Sequence, residues 1–98
     1  MLFGPAQRGA EDVWIEPKNY KVVGEHLAKL RKEAGVTQEE LAARLGRPQP
    51  FISTYENGQR RVDLLEFLTI LEALRLDPAA VFSAIVAKVR PRATRRRR

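Results

Sequence analysis

Residues 37–58 read TQEELAARLGRPQPFISTYENG, and this stretch decides the fold. Thr37 stands three residues before Glu40, so the threonine hydroxyl can accept from a free N–H of a helix's first turn while the glutamate reaches back to the threonine's own N–H. Val36 and Leu41 are placed to pack as a hydrophobic staple across that start. A helix therefore begins at Gln38. Leu41, Ala42 and Leu45 give it one narrow apolar stripe, and Gly46 supplies the left-handed residue that ends it after about two turns. The chain must then restart a helix almost at once. Pro48 and Pro50 mark the place, because a residue without an N–H and with a fixed φ is harmless only in a helix's first turn. The spacing predicts a second helix from Pro48 to Glu56 that buries Ile52 and Tyr55, turns Gln49, Ser53 and Thr54 outward, and closes at Asn57-Gly58. Two short helices joined by a tight, glycine-containing turn form a helix-turn-helix, whose second helix can lie in the DNA major groove; helical hairpins of this kind also serve as plain scaffolding.

The flanking sequence supplies supports for this unit. From Tyr20, the residues Val23, Leu27, Leu30 and Ala34 recur at helical spacing, and Gly35 terminates that helix, while Pro17 discourages helix before Lys18. After a loop over Gln59 to Val62, Asp63 and Glu66 repeat the capping logic, and Val62 can staple to Phe67. Leu64, Phe67, Leu68, Ile70, Leu71 and Leu74 make this fourth helix the most apolar of the chain, as suits a central core element. Asp77-Pro78 is an N-cap followed by proline, the start of a fifth helix. Around its wheel Val81, Phe82, Ile85, Val86 and Val89 cover a wide arc, and alanines cover much of the remainder. A terminal helix that is apolar on more than one side needs a second surface to cover it. Two covers present themselves: another copy of the chain, meeting at Val81, Ile85 and Val89, or the N-terminal arm with Phe3 and Trp14. The pattern predicts an all-α fold of five helices over residues 20–89, preceded by an arm over 1–19 and followed by a basic tail over 90–98.

Composition narrows the function classes. The chain has 98 residues, no cysteine and a single histidine, His26. A disulfide framework, a thiol nucleophile and a zinc site are thereby set aside, and His26 reads as a solvated helix residue. With no paired carboxylates, no nucleophile beside a base and no glycine-rich phosphate loop, no enzyme is expected, and no cofactor or small-molecule substrate. No apolar run reaches membrane length, and acids at Glu11 and Asp12 replace a signal peptide's apolar stretch, so a cytoplasmic protein is expected. The net charge of +6 resides in the tail, where Arg90, Arg92 and Arg95 to Arg98 stand without an acid among them. Residues 1–89 are formally neutral. A neutral domain can still bind a polyanion when its charges are segregated, and Arg44, Arg47, Arg60 and Arg61 cluster around the helix-turn-helix in sequence. The tail RPRATRRRR has no apolar anchor and reads as disordered in isolation, able to gain phosphate contacts near DNA.

TQEELAARLG followed by ISTYENG closely resembles the Cro/repressor-type (Xre) helix-turn-helix family, and the resemblance runs from about Val23 to about Phe82. It implies a lambda-repressor-like, five-helix DNA-binding domain in which Gln38 opens the positioning helix, Gln49 opens the recognition helix, and Glu56 pairs with an arginine of the first helix, here Arg31. Pro50 departs from the family pattern, standing where many relatives carry a polar residue able to touch a base or phosphate. The function implied is transcriptional regulation, as a repressor binding double-stranded DNA as a homodimer. Gln49, Ser53 and Thr54 would reach base edges, and Gln38, Arg44, Arg47, Asn57, Arg60 and Arg61 would meet phosphates. The alternative is a DNA-binding antitoxin or a transcriptional adaptor whose main role is contact with a protein partner.

Overall fold

A capping box stands where Thr37 and Glu40 predict one. The Thr37 hydroxyl accepts from the Glu40 N–H at 3.0 Å, and the Glu40 carboxylate accepts from the Thr37 N–H at 2.8 Å. The computed structural model describes residues 17–89, so the arm with Phe3 and Trp14 and the arginine tail lie outside the described residues. Those residues form five helices: α1 Pro17–Glu33, α2 Gln38–Leu45, α3 Gln49–Glu56, α4 Leu64–Ala73 and α5 Pro78–Val89. No strand occurs among them. The helix-turn-helix is α2, the turn at Gly46 to Pro48, and α3.

Three boundaries differ from the sequence reading. α1 starts at Pro17, inside the predicted arm, because proline is tolerated in a helix's first turn and only its predecessor is discouraged from helix. Pro48 is the N-cap of α3 instead of its first helical residue, with extended φ and ψ and no side-chain cap. At the end of α3, Asn57 keeps φ at −87° and Gly58 alone turns left-handed.

The core is a layer in which α3 packs between α1 and α2, while α4 and α5 close the remaining side. Leu27, Leu41, Ile52, Tyr55, Ile70 and Leu71 are its fully buried large side chains, one or two from each of the first four helices. Val81 and Ile85 of α5 are also buried, at 8% and 6% exposure, and Val89 packs against the same cluster. These were the residues expected at a dimer interface. α5 instead turns them onto its own chain's core, because the neighbouring α4 offers the apolar surface they need. The outward arc of α5 is carried by Phe82 and Val86, and α4 adds exposed Leu64, Leu65 and Leu68. His26 is half-buried, not solvated: its Nδ1 lies 3.1 Å from Lys88 Nζ and ties α1 to the last turn of α5. Burial and then the Lys88 charge hold its pKa below the ordinary histidine value.

Gly24 sets how closely α1 and α3 approach. A Cβ at this position would stand 2.0 Å from the Tyr55 carbonyl oxygen and 3.1 Å from the Glu56 Cα, both main-chain atoms that cannot swing aside. Glycine in a helix interior ordinarily costs about 1 kcal/mol relative to alanine. Here the order reverses: Gly24→Ala is expected to destabilise by about 1 to 3 kcal/mol, as overpacking does, seen as a lower midpoint in urea unfolding. A rise in the midpoint would show that α1 and α3 are not held at this distance.

Candidate nucleic-acid interface

The interface is built outward from one buried ion pair. Arg31 on α1 and Glu56 at the end of α3 are 7% exposed each, the buried charged residues of the described core. Arg31 Nε donates to Glu56 Oε2 at 2.7 Å and Nη2 donates to Oε1 at 3.0 Å, a bidentate fork. The remaining Nη1 donates to the Val36 carbonyl at 2.7 Å, in the loop that leads to α2. The Glu56 bonds hold the Arg31 guanidinium above its usual pKa range, against the opposing effect of burial.

From this pair a chain of amides runs to the surface. Gln38 Nε2 donates to Glu56 Oε1 at 2.7 Å, and Gln49 Nε2 donates to Gln38 Oε1 at 2.5 Å. The first residues of α2 and α3 are thereby locked together. Gln49 keeps its Oε1 acceptor and one amide hydrogen, the pair of groups that matches adenine N7 and N6. Pro50 and Ser53 complete the outward edge of α3, Pro50 exposed and Ser53 half-buried with only a long 3.4 Å contact to the Pro50 carbonyl.

The structure separates the other residues expected to touch DNA. Arg47 is exposed, and its guanidinium lies over the Phe51 ring at 5.5 Å. Arg61 and Asn57 are exposed as well, with Arg61 over the Tyr20 ring at 5.9 Å. Three expectations change. Thr54 donates its hydroxyl proton to the Pro50 carbonyl at 2.8 Å and accepts from Arg60 Nε at 3.2 Å, so its polar group serves α3 itself. Arg44 donates to the Ala73 carbonyl at 2.8 Å, at the carboxyl end of α4, where unpaired carbonyls and the helix dipole favour a cation. Arg60 is half-buried and bonded within the chain. Thr54 and Arg60 thus spend most of their donors within the chain, whereas Arg44 spends one and stays exposed.

Sequence reasoning missed two lysines. Lys21 and Lys32 line an open groove with Gln38 and Asn57, between α1 and the carboxyl end of α3, which Glu25 and the Lys29–Glu33 pair also line. On the helical pattern of α1 they read as solvated; only the position of α3 brings them beside the positioning glutamine. Among the described residues no three His, Cys, Asp or Glu side chains group where a metal could sit, and no helix is long and apolar enough to cross a membrane.

Paired short helices, a tight turn and a polar first residue on each define a helix-turn-helix DNA-binding domain. Comparison with known proteins identifies the lineage. A helix-turn-helix domain family matches residues 22–81, more than half of the chain. An uncharacterized HTH-type transcriptional regulator, y4dJ of Sinorhizobium fredii, is 41% identical over 54 residues, spanning 55% of this chain and 70% of that one. Among solved structures, an XRE-family like protein from Pseudomonas syringae is 44% identical with a TM-score of 0.66, over 72% of this chain and 87% of that one. The restriction-modification controller protein C.AhdI from Aeromonas hydrophila is 32% identical with a TM-score of 0.62, over 66% and 98%. The chain belongs to the Xre-type family of helix-turn-helix transcriptional regulators.

The buried pair yields a stability test. Removing one partner of a buried, hydrogen-bonded pair leaves the other charge uncompensated. Arg31→Ala is expected to cost about 3 to 5 kcal/mol, whereas Lys32→Ala, one residue along on the exposed side of α1, should change little. Equal melting temperatures for the two variants would remove the pair from its structural role.

Proposed function

We propose that the domain represses transcription by occupying a two-fold symmetric operator as a homodimer, with α3 in the major groove. The observation that carries this reading is the Gln49–Gln38–Glu56 chain, which holds a bidentate base-reading amide in one orientation at the start of α3. Gln49 reads an adenine, Ser53 a neighbouring base edge, and Pro50 an apolar feature such as a thymine methyl. Gln38, Arg47, Asn57 and Arg61 meet phosphates, and Lys21 and Lys32 extend that track along α1. Repression follows from blocking a promoter and needs no chemistry on DNA.

Support for the homodimer comes from exposed apolar surface and from the size of the reading head. Phe82 is 57% exposed and Leu65 73%, with Leu64, Leu68 and Val86 beside them in the sequence of α4 and α5. Large apolar side chains left in water on two adjoining helices mark a surface that another chain covers. One recognition helix reads only a few base pairs, so tight specific binding calls for two copies on half-sites about one helical turn apart. The interface therefore moves from Val81, Ile85 and Val89 to the outward residues of the same helix.

Two measurements test the reading. Gln49→Ala should lower affinity for the preferred duplex by about 1 to 3 kcal/mol and relax preference at one base pair per half-site, whereas Arg47→Ala should weaken all duplexes alike. If both variants keep the wild-type preference, α3 is not the reading helix. Phe82→Glu should convert a dimer to a monomer in light scattering while leaving the melting temperature of the isolated domain nearly unchanged, because this ring is already more than half exposed. A wild-type chain that stays monomeric at high concentration would leave the face to the N-terminal arm or to a different protein and sink the homodimer.

A further inference from the structure

We infer that Arg60 is a positioning residue that sets the recognition helix for base reading, and that it does not grip the DNA backbone. The inference rests on α3 being the reading helix. α3 has eight residues, and its inner side is held by Ile52, Tyr55 and Glu56. A two-turn helix anchored along one side can still roll about that side, and a roll changes which bases its outward residues reach. Arg60 holds the opposite edge. Its Nη2 donates to the Phe51 carbonyl at 3.1 Å, its Nε donates to Thr54 Oγ1 at 3.2 Å, and its guanidinium lies over the Phe51 ring at 4.4 Å and the Tyr55 ring at 5.7 Å.

The other half of the same guanidinium is fixed to α4. Nη1 donates to Glu66 Oε1 at 3.1 Å and to the Arg61 carbonyl at 2.9 Å. Glu66 is itself held by the capping box of α4: its carboxylate accepts from the Asp63 N–H at 3.1 Å, and its N–H donates to Asp63 Oδ1 at 2.8 Å. Arg60 thus joins the middle of α3 to the start of α4 through a carboxylate that cannot move without uncapping that helix. A guanidinium has five N–H donors. Four distinct bonds already engage Arg60, and the Arg60 and Glu66 side chains are only 30% and 27% exposed. One N–H, on Nη2, is left over, so the guanidinium has a single donor to offer a phosphate while the other four set its place between α3 and α4.

Positioning and backbone contact predict opposite results at Glu66. Glutamine keeps the capping box, because its amide oxygen can accept the Asp63 N–H as the carboxylate does, and it leaves Arg60 Nη1 a neutral, weaker acceptor in place of the charge that holds it. The test measures affinity of wild type, Arg60→Ala, Arg60→Lys and Glu66→Gln for the duplex preferred by the wild type and for a scrambled duplex, across a salt series, with folding checked by circular dichroism. Positioning requires that Arg60→Ala and Glu66→Gln both lower the ratio of preferred to scrambled affinity, roughly tenfold for the former, the low range for one lost bidentate base contact. Scrambled-duplex affinity and the salt slope should stay at wild-type values. Lysine keeps the charge but lacks the planar fork, so Arg60→Lys should not restore the ratio. The inference is overturned if Arg60→Ala weakens both duplexes alike and flattens the salt slope by about one unit, as a lost phosphate contact does. It is equally overturned if Glu66→Gln tightens both duplexes by removing a competing anion. A wild type that prefers no duplex would overturn the reading-helix assignment itself, a result distinct from either.

Discussion

The buried fork between Arg31 and Glu56 is the constraint on which the rest depends. Against well-packed apolar residues a buried ion pair is a poor source of stability, since desolvating two charges offsets most of their attraction. What the pair supplies here is registration. Glu56 receives three donors, two from Arg31 and one from Gln38, and Arg31 gives its remaining bond to the Val36 carbonyl. α1, the loop before α2, the start of α2 and the end of α3 are therefore fixed at one point. Apolar packing alone tolerates sliding and rotation; a fork with directional bonds does not. The close approach at Gly24 sits about two turns before Arg31 on α1, against the backbone of Tyr55 and Glu56, and brings the two helices near enough for the fork to close.

The helices and their caps were legible because their causes are local. Thr37 with Glu40 and Asp63 with Glu66 need only their own turn, and Gly46 needs only its own φ. The partnership of Arg31 with Glu56 was legible only through family resemblance, since nothing in the spacing of two residues so far apart brings them together. The arginine destinations were not legible. A long, flexible cation adjacent to the helix-turn-helix can face solvent, DNA or the protein, and the choice depends on acceptors contributed by distant elements. Arg44 finds the end of α4, and Arg60 finds Glu66 and the Phe51 carbonyl. The wide apolar arc of α5 hid its inward side for a related reason: with valine, isoleucine and phenylalanine spread round the wheel, only the position of α4 decides which of them is core. Gly24 carried a signal that sequence reading passed over, a glycine within a helix that gains nothing locally from it.

Two acids in and beside the helix-turn-helix are paired inward. Glu56 is engaged by Arg31 and Glu66 by Arg60, whereas Glu39 and Glu40 stay exposed on α2. Arg47, Arg61, Lys21 and Lys32 remain exposed around them. Pairing inward takes these two acids out of the surface without excluding acids from this part of the sequence. Such pairs are also less screened by salt than exposed charges are, so the arrangement persists as salt is raised.

The two prolines at the start of α3 carry a consequence for how new targets could be acquired. Pro48 and Pro50 have no N–H, and the Phe51 N–H returns to the Pro48 carbonyl at 2.9 Å. An ordinary helix start presents several unpaired amides that can cradle an anion. α3 opens with little beyond the Gln49 amide, and its first turn has φ values set by rings. The main chain at the start of α3 therefore contributes shape and almost no chemistry, and its rings hold it ordered, so it has little flexibility to lose in any contact. Recognition is left to a few side chains on a stiff mount. Exchanging those side chains would redirect the protein without rebuilding its backbone, which makes the domain a tractable starting point for both evolution and engineering of sequence preference.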